Sequence, residues 1–143
     1  SLKLFNVFRK RDKNINALIS EKSENLKFYY FNESALNGIL SQSKVDSLKD
    51  LGYKVINEEI ITTQRLDDIL VTCKVPNKTI DLLDIDVEGY DFQVLKSIDL
   101  NLFHVKVILI ETGENENSII KYLSNYNIYK KIDRNVFFLK NSL

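Results

Sequence analysis

The sequence predicts a single α/β domain whose sheet is mostly parallel and closes with an antiparallel hairpin at the C-terminus. In the second half, apolar strand patterns alternate with helix patterns of about ten residues, which is typical of βαβ units. The length of 143 residues fits one domain, and an apolar content of 44% is enough for a core. We therefore expect one domain that spans residues 1–143.

The first 31 residues predict a helix followed by two strands. Apolar side chains at helical spacing in "LKLFNVFRK" predict a helix from Leu2 to Lys10. The short apolar run Ile15–Ser20 and the aromatic run Leu26–Phe31 both favour strands. Because only a polar turn separates these two runs, we expect them to pair as a hairpin.

A short helix, a β-rich stretch and another helix are predicted next. Apolar residues three apart, from Val45 to Leu51, predict a helix that ends at Gly52. "YKVINEEIITT" has the composition of a strand. "QRLDDILVTC" predicts a helix with Asp67 and Asp68 in its first turn, where the helix dipole favours acids.

From residue 80 onward, strands and helices alternate. Strands are predicted at Ile80–Asp86 and Val105–Ile110, and helices at Tyr90–Ile98 and Asn115–Tyr126. "IYKKI" and "VFFLK", separated by a three-residue polar turn, predict the closing hairpin. The side chains expected to face inward are Phe92, Leu95 and Ile98 in the first helix, and Ile119, Ile120, Leu123 and Tyr126 in the second.

Carboxylates gather at the ends of the two predicted parallel strands. In "IDLLDIDVEGYDFQVL", Asp84, Asp86 and Glu88 alternate along an otherwise apolar run, and "ILIETG" ends the next strand at Glu111. Ligands of parallel sheets bind at the carboxyl ends of the strands. A carboxylate buried without a partner costs several kcal/mol or gives up its charge. The cluster therefore predicts a polar site.

Spacing alone leaves four roles open for these acids. They could bind a divalent cation through oxygen ligands, act as a general base toward a hydroxyl, or accept hydrogen bonds from an amino or hydroxyl group of a ligand. The fourth role is structural, because an acid near the start of the helix at Tyr90 would stabilise it by about 0.3–1 kcal/mol.

Composition excludes several function classes. Lys plus Arg and Asp plus Glu both total 20, so the formal net charge is zero, which argues against a nucleic-acid partner. The single cysteine, Cys73, allows no internal disulfide and favours a cytoplasmic location. Cys73 and His104 are too few for a Cys/His zinc site, and we assign no metal ligands. No apolar run approaches the ~20 residues of a membrane span.

Four segments in order resemble one protein family. "IDLLDIDVEGYDFQVLKSID" is similar to the signature of FkbM-type methyltransferases, in which a strand ends in Asp-x-Glu-Gly and leads into a helix. "VKVILIET" resembles the next strand of that family, and "TTQRLDDIL" resembles its Thr-x-x-Leu-Asp-Asp segment. "NINALISEKSENLKFYYFNESALNG" resembles its Asn-rich third strand, the following turn and an aromatic strand. The resemblance runs from about Asn14 to Glu111.

This resemblance implies an S-adenosylmethionine-dependent enzyme with a class I, Rossmann-like fold that methylates a hydroxyl of a sugar or other natural product. It implies that Asp86, Glu88 and Glu111 are catalytic, and that Ser20 and Glu21 lie near the adenine of the cofactor. A carboxylate at a strand exit can position a hydroxyl and take up its proton during in-line displacement at a sulfonium.

Two departures from the family pattern change this expectation. Asp84 stands where the family usually has a basic residue. The Asp-x-Gly-x-Asn-x-Gly loop of the first strand and the acidic end of the second strand are not in the sequence. We therefore expect a truncated methyltransferase domain with an incomplete cofactor pocket and weak or no activity. The resulting gap in the sheet predicts re-pairing of strands, or a homo-oligomer formed through an exposed edge.

Two other functions stay open. Asp84-Ile85-Asp86 is an Asp-x-Asp pair of the kind that holds a divalent cation under the diphosphate of a nucleotide sugar. Alternatively, the acids cap helices and the open edge recruits another protein, which would make the domain a non-catalytic interaction module. On the methyltransferase interpretation, the partner is a small-molecule or glycan acceptor.

Overall fold

A computed structural model describes residues 2–87 and 89–141. The helices are α1 (Leu2–Phe8), α2 (Gln42–Asp50), α3 (Leu66–Thr72), α4 (Asp91–Lys96) and α5 (Glu116–Tyr122). The strands are β1 (Asn25–Phe31), β2 (Gly38–Ile39), β3 (Val55–Thr62), β4 (Thr79–Ile85), β5 (His104–Glu111), β6 (Tyr126–Ile132) and β7 (Asn135–Lys140). Short 3₁₀ turns lie at Ser34–Leu36, Pro76–Lys78 and Gly113–Asn115.

These strands form two separate sheets, which confirms the α/β class but not the predicted sheet. The smaller sheet has the order β2-β1-β3 and is antiparallel. The larger has the order β4-β5-β7-β6, and only β4 and β5 run parallel. The prediction of a mostly parallel sheet is therefore wrong. Only α4 connects two adjacent strands as a crossover, and β7 returns by a tight turn to insert between β5 and β6.

The predicted hairpin between Ile15–Ser20 and Leu26–Phe31 is also wrong. The first run forms no strand and contributes one bridge, in which Ile19 pairs in parallel with Gln64. The buried Thr63 hydroxyl donates to the carbonyl oxygen of Lys22 at 2.7 Å and accepts from the amide of Glu24 at 3.0 Å. These bonds fix the turn beside the end of β3, so β1 pairs with β3 instead.

Most other elements match their predictions, with shorter helices. The helix expected at Asn115–Tyr126 ends at Tyr122, because Tyr126 already begins β6. Ile120 is 38% exposed rather than inward-facing. In the described part of the chain, no helix has the length and apolar character needed to cross a membrane.

Each sheet has its own hydrophobic core. The larger core lies between β4, β5 and β7 on one side and α4 and α5 on the other, and Leu95, Ile108, Ile119 and Phe138 are buried in it. The smaller core packs Val45 and Leu48 of α2 against β1. Packing of α4 against the larger sheet places the start of that helix directly after the exit of β4.

One edge of the larger sheet carries no neighbouring strand among the described residues. β4 pairs with β5 alone, and Leu82 on it is exposed. This open edge agrees with the gap in the sheet that the missing segments of the family pattern predict, because no strand of the smaller sheet pairs with β4. Exposed edges of this kind are sites where another strand can add.

Tyr126 joins the start of β6 to the core. Its side chain is 8% exposed, and its hydroxyl donates a 2.9 Å hydrogen bond to the carbonyl oxygen of Val105. We expect Tyr126→Phe to lower the free energy of unfolding by about 1 kcal/mol in urea titrations at neutral pH, because a buried hydrogen bond is lost. Tyr129→Phe, in the same strand but 75% exposed, is the matched control and should have no effect.

The pH dependence of this contribution has a definite sign. Burial raises the pKa of Tyr126 from its ordinary value of 10.0 to about 12. The unfolded chain therefore releases this proton first, so the stabilisation is complete below pH 10 and is lost as the pH rises toward 12. Unfolding free energy should fall more steeply in the native protein than in Tyr126→Phe across that window. Parallel alkaline slopes would contradict this account.

Candidate functional site

The carboxyl ends of β4 and β5 bring two of the predicted acids to one edge. Ile85 pairs with Ile110, so Asp86 and Glu111 follow at the same level on strands that lie about 4.8 Å apart. Asp86 is exposed, whereas Glu111 is partly buried, with Oε1 3.6 Å from Nη1 of Arg134. Glu88, the third predicted catalytic residue, lies outside the described residues.

Asp91 organises the loop between β4 and α4. Its side chain is 4% exposed, and its carboxylate accepts hydrogen bonds from the amides of Val87 at 3.1 Å and Gly89 at 2.9 Å. Gly89 has a φ of +95°, a conformation that glycine adopts without strain. The buried charge thus holds the loop that follows Asp86. Sequence reasoning missed this residue, although an acid in the first turn of a helix is a recognisable signal for a helix N-terminus.

Ser20 connects the predicted cofactor segment to the same loop. Its side chain is buried, with Oγ 3.3 Å from the hydroxyl of Tyr90 and 3.5 Å from Oε1 of Glu24. Its amide donates to the carbonyl oxygen of Gln64 at 3.0 Å. The Ser20–Glu21 turn and the β4–α4 loop, about 70 residues apart in sequence, are therefore adjacent, and they meet at Tyr90 of the loop.

Glu21 is held between α3 and α4. Its carboxylate forms an ion pair with Lys96, and the hydrogen bond from Lys96 holds the pKa of Glu21 below its usual range. Arg65 donates to the backbone carbonyl of Glu21 at 2.5 Å and pairs through two nitrogens with Asp67, at 3.0 and 2.5 Å. The hydrogen bond to Asp67 raises the pKa of Arg65. The Ser20–Glu21 turn is thus fixed through both its backbone and its side chain.

A cavity of about 450 Å³ lies beside this loop. Val87 and Tyr90 form one wall, and apolar side chains of the smaller sheet, such as Phe28 and Ile39, form another. Lys44 of α2 is the charged side chain in its described lining. The cavity therefore combines an apolar surface, one cation and the backbone that follows Asp86.

The described residues include no group of three or more His, Cys, Asp or Glu side chains that could hold a metal ion. Asp84 and Asp86 are both exposed. Asp84 lies in β4 and Asp86 directly after it, so the two carboxylates are two residues apart in sequence. What the site offers chemically is a pair of strand-end carboxylates next to a fixed turn and a cavity.

Comparison with protein-family models shows which family this sequence matches. The model of the methyltransferase FkbM domain matches residues 4–133, which contain the Ser20–Glu21 turn, the β4–α4 loop and Glu111. The chain belongs to the FkbM methyltransferase family. The match confirms the resemblance that the four segments showed. It supports methyltransferase as the general class of this domain. No curated protein and no solved structure matches the chain.

Loss of the buried carboxylate should loosen the loop of the FkbM domain. We expect Asp91→Ala to lower the free energy of unfolding by about 1–3 kcal/mol, because two backbone amides lose their acceptor. Amide hydrogen exchange at Val87 and Gly89 should accelerate relative to the amides of β5.

Asp99→Ala is the matched control for this change. Asp99 also accepts from two backbone amides, Asn101 at 2.8 Å and Leu102 at 3.3 Å, but it is exposed. Its replacement should leave exchange at Val87 and Gly89 unchanged. Unchanged exchange at both amides in Asp91→Ala would show that the carboxylate does not hold the loop.

Proposed function

We propose that this FkbM domain transfers the methyl group of S-adenosylmethionine to a hydroxyl of a sugar or other natural product. The observation that supports this proposal is the convergence of the Ser20–Glu21 turn on the β4–α4 loop, through the contact between the Ser20 and Tyr90 hydroxyls. Methyl transfer requires the cofactor and the acceptor to meet in line, so the segments that serve each must be adjacent.

Glu21 is the proposed contact for the adenosine of the cofactor. Its side chain is 41% exposed, and its lowered pKa keeps the carboxylate ionised and able to accept hydrogen bonds from amino or hydroxyl groups. Ser20 is buried, so we propose that it supports cofactor binding by holding the backbone of the turn in position. The Asp-x-Gly-x-Asn-x-Gly loop that the family uses for the cofactor is not in the sequence, so we propose that the chain as given binds the cofactor weakly.

Asp86 and Glu111 are the proposed groups for the acceptor hydroxyl. Bound S-adenosylmethionine supplies a methyl group made electrophilic by its sulfonium. Asp86, exposed at the exit of β4, would accept the hydroxyl proton while the hydroxyl oxygen bonds to the methyl carbon. The bond from that carbon to the sulfonium sulfur would break in the same step, and S-adenosylhomocysteine would leave. Glu111, next to it and paired with Arg134, would orient the hydroxyl. The catalytic role predicted for Glu88 stays a prediction.

A non-catalytic interaction module is the second candidate function. The edge of β4 that no described strand covers supports it, because such an edge can accept a strand from a partner or a second copy. No comparable observation favours the nucleotide-sugar enzyme, for which Asp84 and Asp86 would be the cation ligands. On either candidate, the proposed compartment is the cytoplasm, from the single cysteine.

Titration of S-adenosylhomocysteine by calorimetry tests the cofactor proposal. We expect weak, saturable 1:1 binding to protein that circular dichroism shows to be folded. Glu21→Gln should weaken it about threefold to tenfold, because a charged acceptor becomes neutral. Asp86→Asn should leave it unchanged, because Asp86 is proposed to act on the acceptor.

Glu116→Gln provides the matched control for the charge change. Glu116 is also ion-paired and part-buried, with Oε2 2.6 Å from Nζ of Lys131, but it lies outside the proposed site. The Glu116→Gln substitution should leave the affinity for S-adenosylhomocysteine unaltered. Absence of heat from folded protein would mean that this chain alone does not form the cofactor site, and the interaction module would become the better candidate.

A further inference from the structure

We infer that the 450 Å³ cavity beside the β4–α4 loop is the acceptor subsite, and that it takes a cyclic, apolar acceptor that carries an anionic group. This inference rests on the proposed methyltransferase function. It narrows the acceptor from hydroxyl compounds in general to one class, and it disfavours free sugars.

The size and lining of the cavity support an apolar ligand. Its volume falls within the range of about 300–1,000 Å³ that is common for small-molecule sites. The apolar walls come from at least five parts of the fold, and they include Leu18, Phe28, Leu36, Ile39 and Val94. A fused-ring body would bury its surface against these side chains, which is the main source of affinity in such sites.

The cavity wall has few polar groups, and two of them already contact other groups of the protein, so they do not suit a sugar. Oδ1 of Asn37 accepts the amide of Phe31 at 2.8 Å, and the hydroxyl of Tyr90 contacts Ser20. A free sugar would bring several hydroxyls into the cavity, and each one left without a partner would cost affinity. No carboxylate belongs to the described lining.

Lys44 specifies the charge of the ligand. Its side chain is the only charged one in the described lining, and no Asp or Glu among the described residues forms an ion pair with it. A carboxylate or similar anion on the ligand would complement this solvent-exposed cation at the rim of the apolar wall.

The lining of the cavity includes the residue that follows Asp86. This residue is Val87, whose Cα atom is about 3.8 Å from that of Asp86. Asp91 holds the amide of Val87, and Ser20 contacts the hydroxyl of Tyr90, which also lines the cavity. On our inference, the anion of a bound ring lies at Lys44, and its hydroxyl lies toward Val87, next to Asp86.

Binding of 6-hydroxy-2-naphthoate tests this inference, because the probe has a fused ring, a hydroxyl and a carboxylate. We expect saturable binding by fluorescence, with amide shifts in two-dimensional NMR concentrated at residues 36–40, Val87 and Tyr90. Lys44→Gln should weaken binding about tenfold, through loss of a charge-assisted hydrogen bond. Lys49→Gln, on the same helix but outside the cavity, should not.

A neutral analogue and a bulky variant separate charge from shape. 6-Hydroxy-2-naphthalenemethanol should bind the native protein and Lys44→Gln equally. Ala35→Phe, a substitution at an exposed position in the lining, should weaken both probes by filling space. A second apolar groove, lined in part by Ile15, Ile69 and Pro76, lies elsewhere on the domain. Equal naphthoate affinity in Lys44→Gln, or amide shifts confined to α1 or to that groove, would overturn the inference.

Competition with S-adenosylhomocysteine distinguishes the two proposals. Independent binding of the two compounds supports an acceptor subsite, whereas mutual exclusion would make the cavity part of the cofactor site and overturn the inference. Cofactor binding without specific naphthoate binding would overturn the inference and leave the proposed function standing. Naphthoate binding at residues 36–40 without cofactor binding would overturn the proposed function and support an apolar, anion-accepting site.

Discussion

The junction at residues 20–24 is the constraint on which the arrangement of this domain depends. The smaller and larger sheets share no hydrogen-bonded pair of named strands, so strand pairing does not orient one on the other. Instead, Thr63 bonds the backbone on both sides of the turn, and Arg65 and Lys96 hold Glu21. The turn therefore sets where β1 and β2 lie relative to the β4–α4 loop, and the cavity between them is a consequence.

The contacts of this junction differ in strength. Thr63 is fully buried, and its hydrogen bonds are shielded from water, so each contributes roughly 0.5–1.5 kcal/mol. The Glu21–Lys96 ion pair lies at the surface, where solvent and salt screen it and its contribution to stability is small. Thr63 thus stabilises the junction, while the ion pair mainly keeps Glu21 charged and oriented. This division leaves the Glu21 carboxylate accessible to a ligand without making the fold depend on it.

Two aspartates of one short loop have opposite environments. Asp86 is exposed at the exit of β4, whereas Asp91 is buried and accepts hydrogen bonds from two backbone amides. Because Asp91 is buried, its carboxylate is inaccessible to a ligand and serves the loop instead. Asp86 has no such commitment to the backbone. The difference in their roles follows from burial and not from residue type.

Local patterns in the sequence determined the elements of this protein, and non-local packing decided how they assemble. Periodicity located β4, α4, β5 and the closing hairpin, and the acids predicted a polar edge at the ends of β4 and β5. Periodicity did not reveal that β1 pairs with β3 rather than with Ile15–Ser20, because this pairing depends on contacts between residues about 30 positions apart. The burial of Ser20, the role of Asp91 and the cavity at Lys44 also emerge only when the two sheets meet. Helix and strand patterns reflect neighbouring residues, whereas a site made from several segments reflects the three-dimensional junction between them.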